Sequence, residues 1–155
     1  MRPNVFVSRP AVLTESQERV FGAWSSYLLD LGFQVERLQR HQYSSKPWEQ
    51  LRKIFARTDG MVAFGFSQVS AEAKEWENKK SKFVRTSPWI HIETAMAIEK
   101  AIPVLVVAEP GVQEGVFEPS VWCGCLFGVP AGAPPSRSTV TQPWIDAVLL
   151  KSHER

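Results

Sequence analysis

Apolar residues along the chain fall into two recurring patterns, short continuous runs and longer stretches at helical spacing. Val5-Phe6-Val7, Met61-Val62-Ala63-Phe64 and Val104-Leu105-Val106-Val107 are the continuous runs, rich in β-branched and aromatic residues. Runs of this kind suit strands buried on both faces of a parallel sheet. Phe33-Gln34-Val35-Glu36-Arg37-Leu38 alternates instead and reads as an edge strand. Val121-Trp122-Cys123-Gly124-Cys125-Leu126-Phe127 reads as a last, short strand.

Helical spacing fills the intervals. Val20, Trp24, Leu28 and Leu31 mark one stripe, with Phe21 and Tyr27 beside it. Thr14 and Gln17 are spaced as a capping box at its start, and Gly32 stands where a helix ends in the left-handed conformation. Pro47 opens a second helix whose inner face is Trp48, Leu51, Ile54 and Phe55, after a polar connection over residues 39–46 that holds His41 and Tyr43. A third runs over residues 88–101, with Ser87 as N-cap, Pro88 in its first turn and Ile90, Thr94, Ala97 and Ala101 along one side. A fourth covers 141–151 through Trp144, Ile145, Val148 and Leu149, and the polar tail 152–155 is expected to fray.

Residues 67–85 are the least regular part. The stretch 71–82 has helical propensity and a Glu75/Lys79 pair, but few apolar anchors, so it reads as a solvated, partly helical excursion. Residues 128–140 read as a Pro/Gly loop. Strands thus alternate with helices, and no repeat or linker divides residues 1–155. This predicts a single α/β domain, a three-layer sandwich with a mainly parallel five-stranded sheet in the flavodoxin-like order 2-1-3-4-5.

Composition adds limits. The 155 residues carry a net charge of +2, with 44% hydrophobic and 22% charged residues. That balance does not suggest nucleic-acid binding, and the Lys79-Lys80-Ser81-Lys82 cluster reads as a solvated face. No apolar run approaches the ~18 residues of a membrane span, and no signal peptide is evident. These features predict a cytoplasmic protein with no membrane partner. Cys123 and Cys125 read as reduced thiols on one strand face, and no metal site is expected.

The predicted topology gathers chemistry at one place. In open parallel sheets, ligands bind beyond the C-terminal ends of the strands, where the strand order reverses. Ser8, Arg9 and Pro10 follow the first strand. Phe66 and Ser67 follow the third, and Glu109 the fourth. The helix that begins at Ser87 starts at the same edge and carries Trp89, His91 and Glu93. Glu93 stands in the second turn among Trp89, Ile90, Met96 and Ala97, largely apolar company for a carboxylate. His91 is about 200° from it around the helix and should point elsewhere.

A carboxylate beneath a sugar can stabilise or attack the oxocarbenium-like centre left by a departing base. Arg9 and the helix start at Ser87 suit phosphate, while Trp89 or Phe66 suits stacking on a base. Glu93 is therefore the candidate catalytic residue. Ser8, Arg9, Phe66, Ser87 and Trp89 are candidate substrate-binding residues.

The pattern Ser87-x-Trp89-x-x-x-Glu93-x-x-x-Ala97, followed by Pro103-Val104-Leu105-Val106-Val107, resembles the catalytic-glutamate helix of bacterial TIR (Toll/interleukin-receptor) domains. It equally resembles that of nucleoside 2-deoxyribosyltransferase-type domains. Val5-Phe6-Val7-Ser8 is similar to the first TIR strand, and Asp59-Gly60-Met61-Val62 to the strand before the active-site loop. The resemblance implies a flavodoxin-like fold and N-glycosidase or ribosyl-transfer chemistry on a nucleoside or nucleotide, often in antiphage signalling. It implies NAD as a candidate substrate rather than a cofactor, no resident cofactor, and an assembly that extends to a homo-oligomer. Ser8-Arg9-Pro10 replaces the residues usual after the first TIR strand. That leaves open a non-catalytic module that binds a nucleotide signal or assembles with protein partners.

Overall fold

The computed structural model describes residues 2–38, 46–74, 80–135 and 140–155, with backbone alone at 71–74 and 80–83. The strands are β1 (Asn4–Ser8), β2 (Gln34–Glu36), β3 (Gly60–Gly65), β4 (Val69–Lys74), β5 (Lys80–Arg85), β6 (Val104–Ala108) and β7 (Leu126–Pro130). The helices are α1 (Glu15–Asp30), α2 (Pro47–Phe55), α3 (Pro88–Glu99) and α4 (Gln142–Glu154). Five strands form one sheet in the order β2-β1-β3-β6-β7, and all neighbours are parallel. Counted within that sheet, the order is the flavodoxin-like 2-1-3-4-5, as the sequence predicts.

Period-two alternation along each strand sorts the core into two layers. Val5, Val7, Val62, Phe64, Leu105 and Val107 face α1 and α4, where Trp24, Leu28, Trp144 and Val148 cover them. Phe6, Met61, Ala63, Val104 and Val106 face α2 and α3, where Leu51, Ile54, Ile90 and Ala97 cover them. Burying each large side chain contributes roughly 1.5–3 kcal/mol, so the two layers together hold the sheet. Gly60 allows α4 close, since a Cβ there would stand 2.4 Å from Val148.

Local signals set the helix ends. The Thr14 side chain accepts from the Gln17 N–H while the Gln17 side chain accepts from the Thr14 N–H, and Gly32 has φ +80° beyond the end of α1. Ser87 occupies the N-cap position of α3 with Pro88 behind it, yet its side chain makes no capping bond.

Three elements differ from the sequence expectation. The stretch read as a partly helical excursion contains an antiparallel hairpin, with Val69 opposite Arg85 and Lys74 opposite Lys80. Its ribbon satisfies backbone groups by pairing with itself, and so needs no apolar helical stripe. The last strand begins at Leu126 and runs into residues expected to form a loop. Turns at Pro119–Val121 and Gly124, which has φ +61°, break the apolar run before it, and leave Cys123 exposed in a turn rather than on a strand. The C-terminal tail does not fray, because α4 reaches Glu154 and Arg155 donates to Asp59 and to the Arg57 carbonyl. The His41/Tyr43 connection, the Glu75/Lys79 pair, Trp76 and part of the Pro/Gly loop lie outside the described residues. Among the described residues no helix is long and apolar enough to cross a membrane.

Candidate active site

A cavity of about 420 Å³ opens at the C-terminal edge of the sheet, between the ends of β1 and β2 and the start of α3. Ser8, the last residue of β1, and Arg9 after it form one wall. Ser87 and Trp89 at the start of α3, and Glu93 in its second turn, also line it. The crossover from β1 back to β2 and forward to β3 makes this the point where strand order reverses.

Glu93 is 2% exposed, on the side of α3 that turns toward the sheet. The Ser8 hydroxyl, itself 2% exposed, donates to Glu93 Oε2. A hydrogen bond of this kind fixes the carboxyl group's position. Its burial beside the cavity sets Glu93 apart from a solvated carboxylate on a helix surface.

Arg9 is held differently. Its guanidinium carbon stands 4.7 Å from the Phe21 ring centroid, and Nη1 donates to the Pro10 carbonyl at 3.2 Å. Glu18 Oε1 approaches Nη1 at 3.7 Å, and Nε is buried without a partner. Burial pushes the Arg9 pKa down, Glu18 opposes that, and Arg37 adds to it. Arg37, in the loop after β2, lines the same cavity. It was not among the sequence candidates, although β2 adjoins β1 and its loop must leave the sheet at the same edge.

Trp89 is 36% exposed and pairs with Trp48 at the start of α2, ring centroids 5.5 Å apart and tilted by 34°. Of the two indoles, that of Trp89 belongs to a residue lining the cavity, and Trp48 packs beside it. Phe66 does not join the site. It is fully buried and stacks on Phe64 at 5.2 Å in the layer under α1 and α4. Period two places residue 66 on the same face as residue 64, which takes it away from the ligand edge.

Glu109 is a structural carboxylate. It accepts from Gln17 Nε2 at 3.0 and 3.1 Å and from the Ser67 N–H at 2.6 Å, so it ties the start of α1 to the end of β3. His91 packs edge-on against Phe117 at 5.3 Å, away from Glu93, and burial lowers its pKa. Among the described residues no three His, Cys, Asp or Glu side chains cluster as metal ligands.

No protein-family model matches the sequence, and no curated protein matches it. Among solved structures the chain is similar to that described as the structure of Clostridium botulinum CMP N-glycosidase, BcmB. The TM-score is 0.53 at 12% identity, over 94% of this chain and 98% of that one. At that identity the likeness concerns the fold, and it spans nearly the whole of both chains.

Proposed function

We propose that the protein is an N-glycosidase that releases the base from a nucleoside or nucleotide, with Glu93 as its catalytic carboxylate. The observation that carries this reading is the placement of a buried, Ser8-bonded glutamate at the floor of a cavity at the strand switch point. The CMP N-glycosidase whose fold the chain shares supports the same class of reaction.

In this reading the bond from the anomeric carbon to the base nitrogen breaks, and its electron pair leaves with the base, which takes up a proton. The Glu93 carboxylate meets the electron-poor carbon, either as a charge partner or by forming a C–O bond. Water then adds at that carbon and loses a proton, which frees the sugar and restores the carboxylate. Ser8 keeps the carboxylate aimed throughout. The cavity volume of about 420 Å³ is near the low end of the roughly 300–1,000 Å³ typical of small-molecule sites. That size suits a mononucleoside or mononucleotide better than a dinucleotide. NAD, which the TIR resemblance implies, is the competing substrate, and a role in antiphage signalling depends on it.

The test is to incubate pure protein with nucleosides, their 5′-monophosphates including CMP, and NAD, and to measure released base by mass spectrometry. Base release that disappears in Glu93→Gln supports the reading. Unchanged release in that variant removes Glu93 from the chemistry. Ligand binding with no base release from any compound leaves a non-catalytic nucleotide module.

A further inference from the structure

We infer that Arg9 is a positioning residue, which clamps the connection between β1 and α1 onto α1 and thereby keeps the Ser8 hydroxyl on Glu93. This deepens the N-glycosidase reading and rests on it only for the chemistry at Glu93.

Strand pairing holds Ser8 on one side only. β1 pairs with β3 as far as Ser8 opposite Ala63, but with β2 only as far as Phe6 opposite Glu36. Beyond that point Val7 and Ser8 line the cavity, together with Arg37 and Leu38 from the residues after β2. The chain then passes through Ala11 and Val12, both exposed, before Thr14 caps α1. A strand end with one neighbour and an exposed connection after it opens easily. A hydroxyl at such an end stays on one carboxyl oxygen only when a second anchor holds the backbone.

Arg9 supplies that anchor, because its side chain turns back onto α1. The guanidinium carbon lies 4.7 Å from the Phe21 ring centroid, and the side chain is 17% exposed. Phe21 in turn packs edge-on against Phe64 of β3, with centroids 5.4 Å apart, so the ring under Arg9 is fixed to the sheet. Nη1 donates to the carbonyl of buried Pro10 at 3.2 Å, which folds the side chain over the next peptide of its own loop. One turn before Phe21, Gln17 donates to Glu109 and to the Ser67 carbonyl, so the part of α1 that Arg9 grips is tied to residues just past β3 and β6. Glu18 adds little, since its side chain is 53% exposed and 3.7 Å from Nη1. A planar cation that covers a ring and also bonds a carbonyl is a task for arginine rather than lysine. The same geometry sets Arg9 apart from a substrate-binding group, because its Nε is buried and its guanidinium already covers a ring.

The experiment measures base release per folded molecule for Arg9→Met, Arg9→Lys, Ser8→Ala and the Arg9→Met/Ser8→Ala double variant, on the compound that wild type cleaves best. Met keeps most of the apolar stem and removes the guanidinium. Arg9→Met should lower kcat by about threefold to tenfold and leave KM within about twofold. The double variant should be no worse than Ser8→Ala, because the arginine acts through the serine and the two losses do not multiply. Arg9→Lys, which returns a cation to the ring without the fork, should recover part of the loss. With no substrate present, amide hydrogen exchange in peptides spanning residues 5–13, read by mass spectrometry, should rise by about threefold or more in Arg9→Met. Losses that multiply in the double variant would overturn the clamp, as would a loss confined to KM for phosphorylated substrates, or unchanged exchange in Arg9→Met. Absence of base release from wild-type protein, with the exchange difference present, would remove the N-glycosidase reading and leave Arg9 as the clamp of this connection.

Discussion

The two edges of the central sheet use the same residue types in opposite ways. At the N-terminal edge, carboxylates and arginines close on one another. Asp59, fully buried, accepts from the Asn4 N–H at 2.7 Å and from Arg155 Nη2 at 2.8 Å. Asn4 Nδ2 donates to Glu36 at 3.0 Å, and Glu36 also accepts from Arg57. At the C-terminal edge, Arg9 and Glu93 line one cavity, and the buried carboxylate takes its bond from a serine hydroxyl. Among the described residues Arg9 Nε at this edge and Asp59 Oδ1 at the other are buried without partners, as are Thr86 Oγ1 just before α3 and Thr94 Oγ1 within it. Native structures leave few buried polar groups unsatisfied, and those few call for an explanation. One edge closes on itself through buried charge-assisted bonds while the other holds an open cavity, which argues that the fold is stabilised at one edge and shaped for a ligand at the other.

If that division holds, substitutions at the two edges should separate activity from stability. Glu93→Gln keeps the shape of the side chain and removes its charge. Base release should fall by about 10²–10⁴-fold, the usual range for loss of a positioned acid or base, and the circular dichroism spectrum should not change. Asp59→Ala should do the opposite. It leaves the Asn4 N–H and the Arg155 guanidinium without their carboxylate, and should cost about 3 kcal/mol of unfolding free energy in urea titrations. Turnover per folded molecule should stay near wild type. A strong loss of turnover from Asp59→Ala in fully folded protein would mean that the two edges are coupled.

The edges also differ in how far the sequence reveals them. The continuous runs at 5–7, 61–64 and 104–107 and the caps at Thr14, Gly32 and Pro88 are local signals, and they suffice for sheet order. The same topology places Ser8, Arg9, Ser87, Trp89 and Glu93 at one cavity. The adjacency rule also reaches Arg37, once the loop after the edge strand is counted with the others. Phe66 fails for a reason that period two already contains, since Phe64 is a core residue. The β4–β5 hairpin is harder to read. Its Ala, Glu and Lys residues favour a helix locally, and only the pairing of one strand with the other makes a ribbon. The N-terminal edge is illegible for a similar reason. Asn4, Asp59 and Arg155 are far apart in the chain, and nothing near any of them announces the others.

Ser8→Ala tests whether the serine at the active edge only fills space. The substitution removes the hydroxyl that donates to Glu93 and leaves the β1 backbone unchanged. One hydrogen bond to a charged group contributes about 1.5–3 kcal/mol. Some of that will be recovered by water entering the cavity, so base release should fall by about tenfold. Ser8→Thr, which retains a hydroxyl, should recover part of the loss. Full activity in Ser8→Ala would show that Glu93 is held by its other surroundings.

The smallest effect belongs to Arg57→Ala, and its size decides how the N-terminal edge works. The Arg57 and Glu36 side chains are 54% and 26% exposed, and pairs of that kind contribute about 0–1 kcal/mol. The Arg57 carbonyl accepts from Asn4 and Arg155, and those bonds survive a change of side chain. The loss should therefore stay below about 1 kcal/mol and depend on pH. Burial pushes the Glu36 carboxyl up, but hydrogen bonds from Arg57 and Asn4 outweigh it and hold the pKa below its ordinary value. A carboxylate lowered in this way contributes stability above its unfolded pKa and loses it as pH falls through the folded value. Wild type and Arg57→Ala should differ in urea midpoint at neutral pH and converge as pH falls below the ordinary carboxylate range and Glu36 protonates. A loss as large as that from Asp59→Ala, or a gap that persists at acid pH, would move the anchor of this edge from the buried carboxylate to the exposed pair.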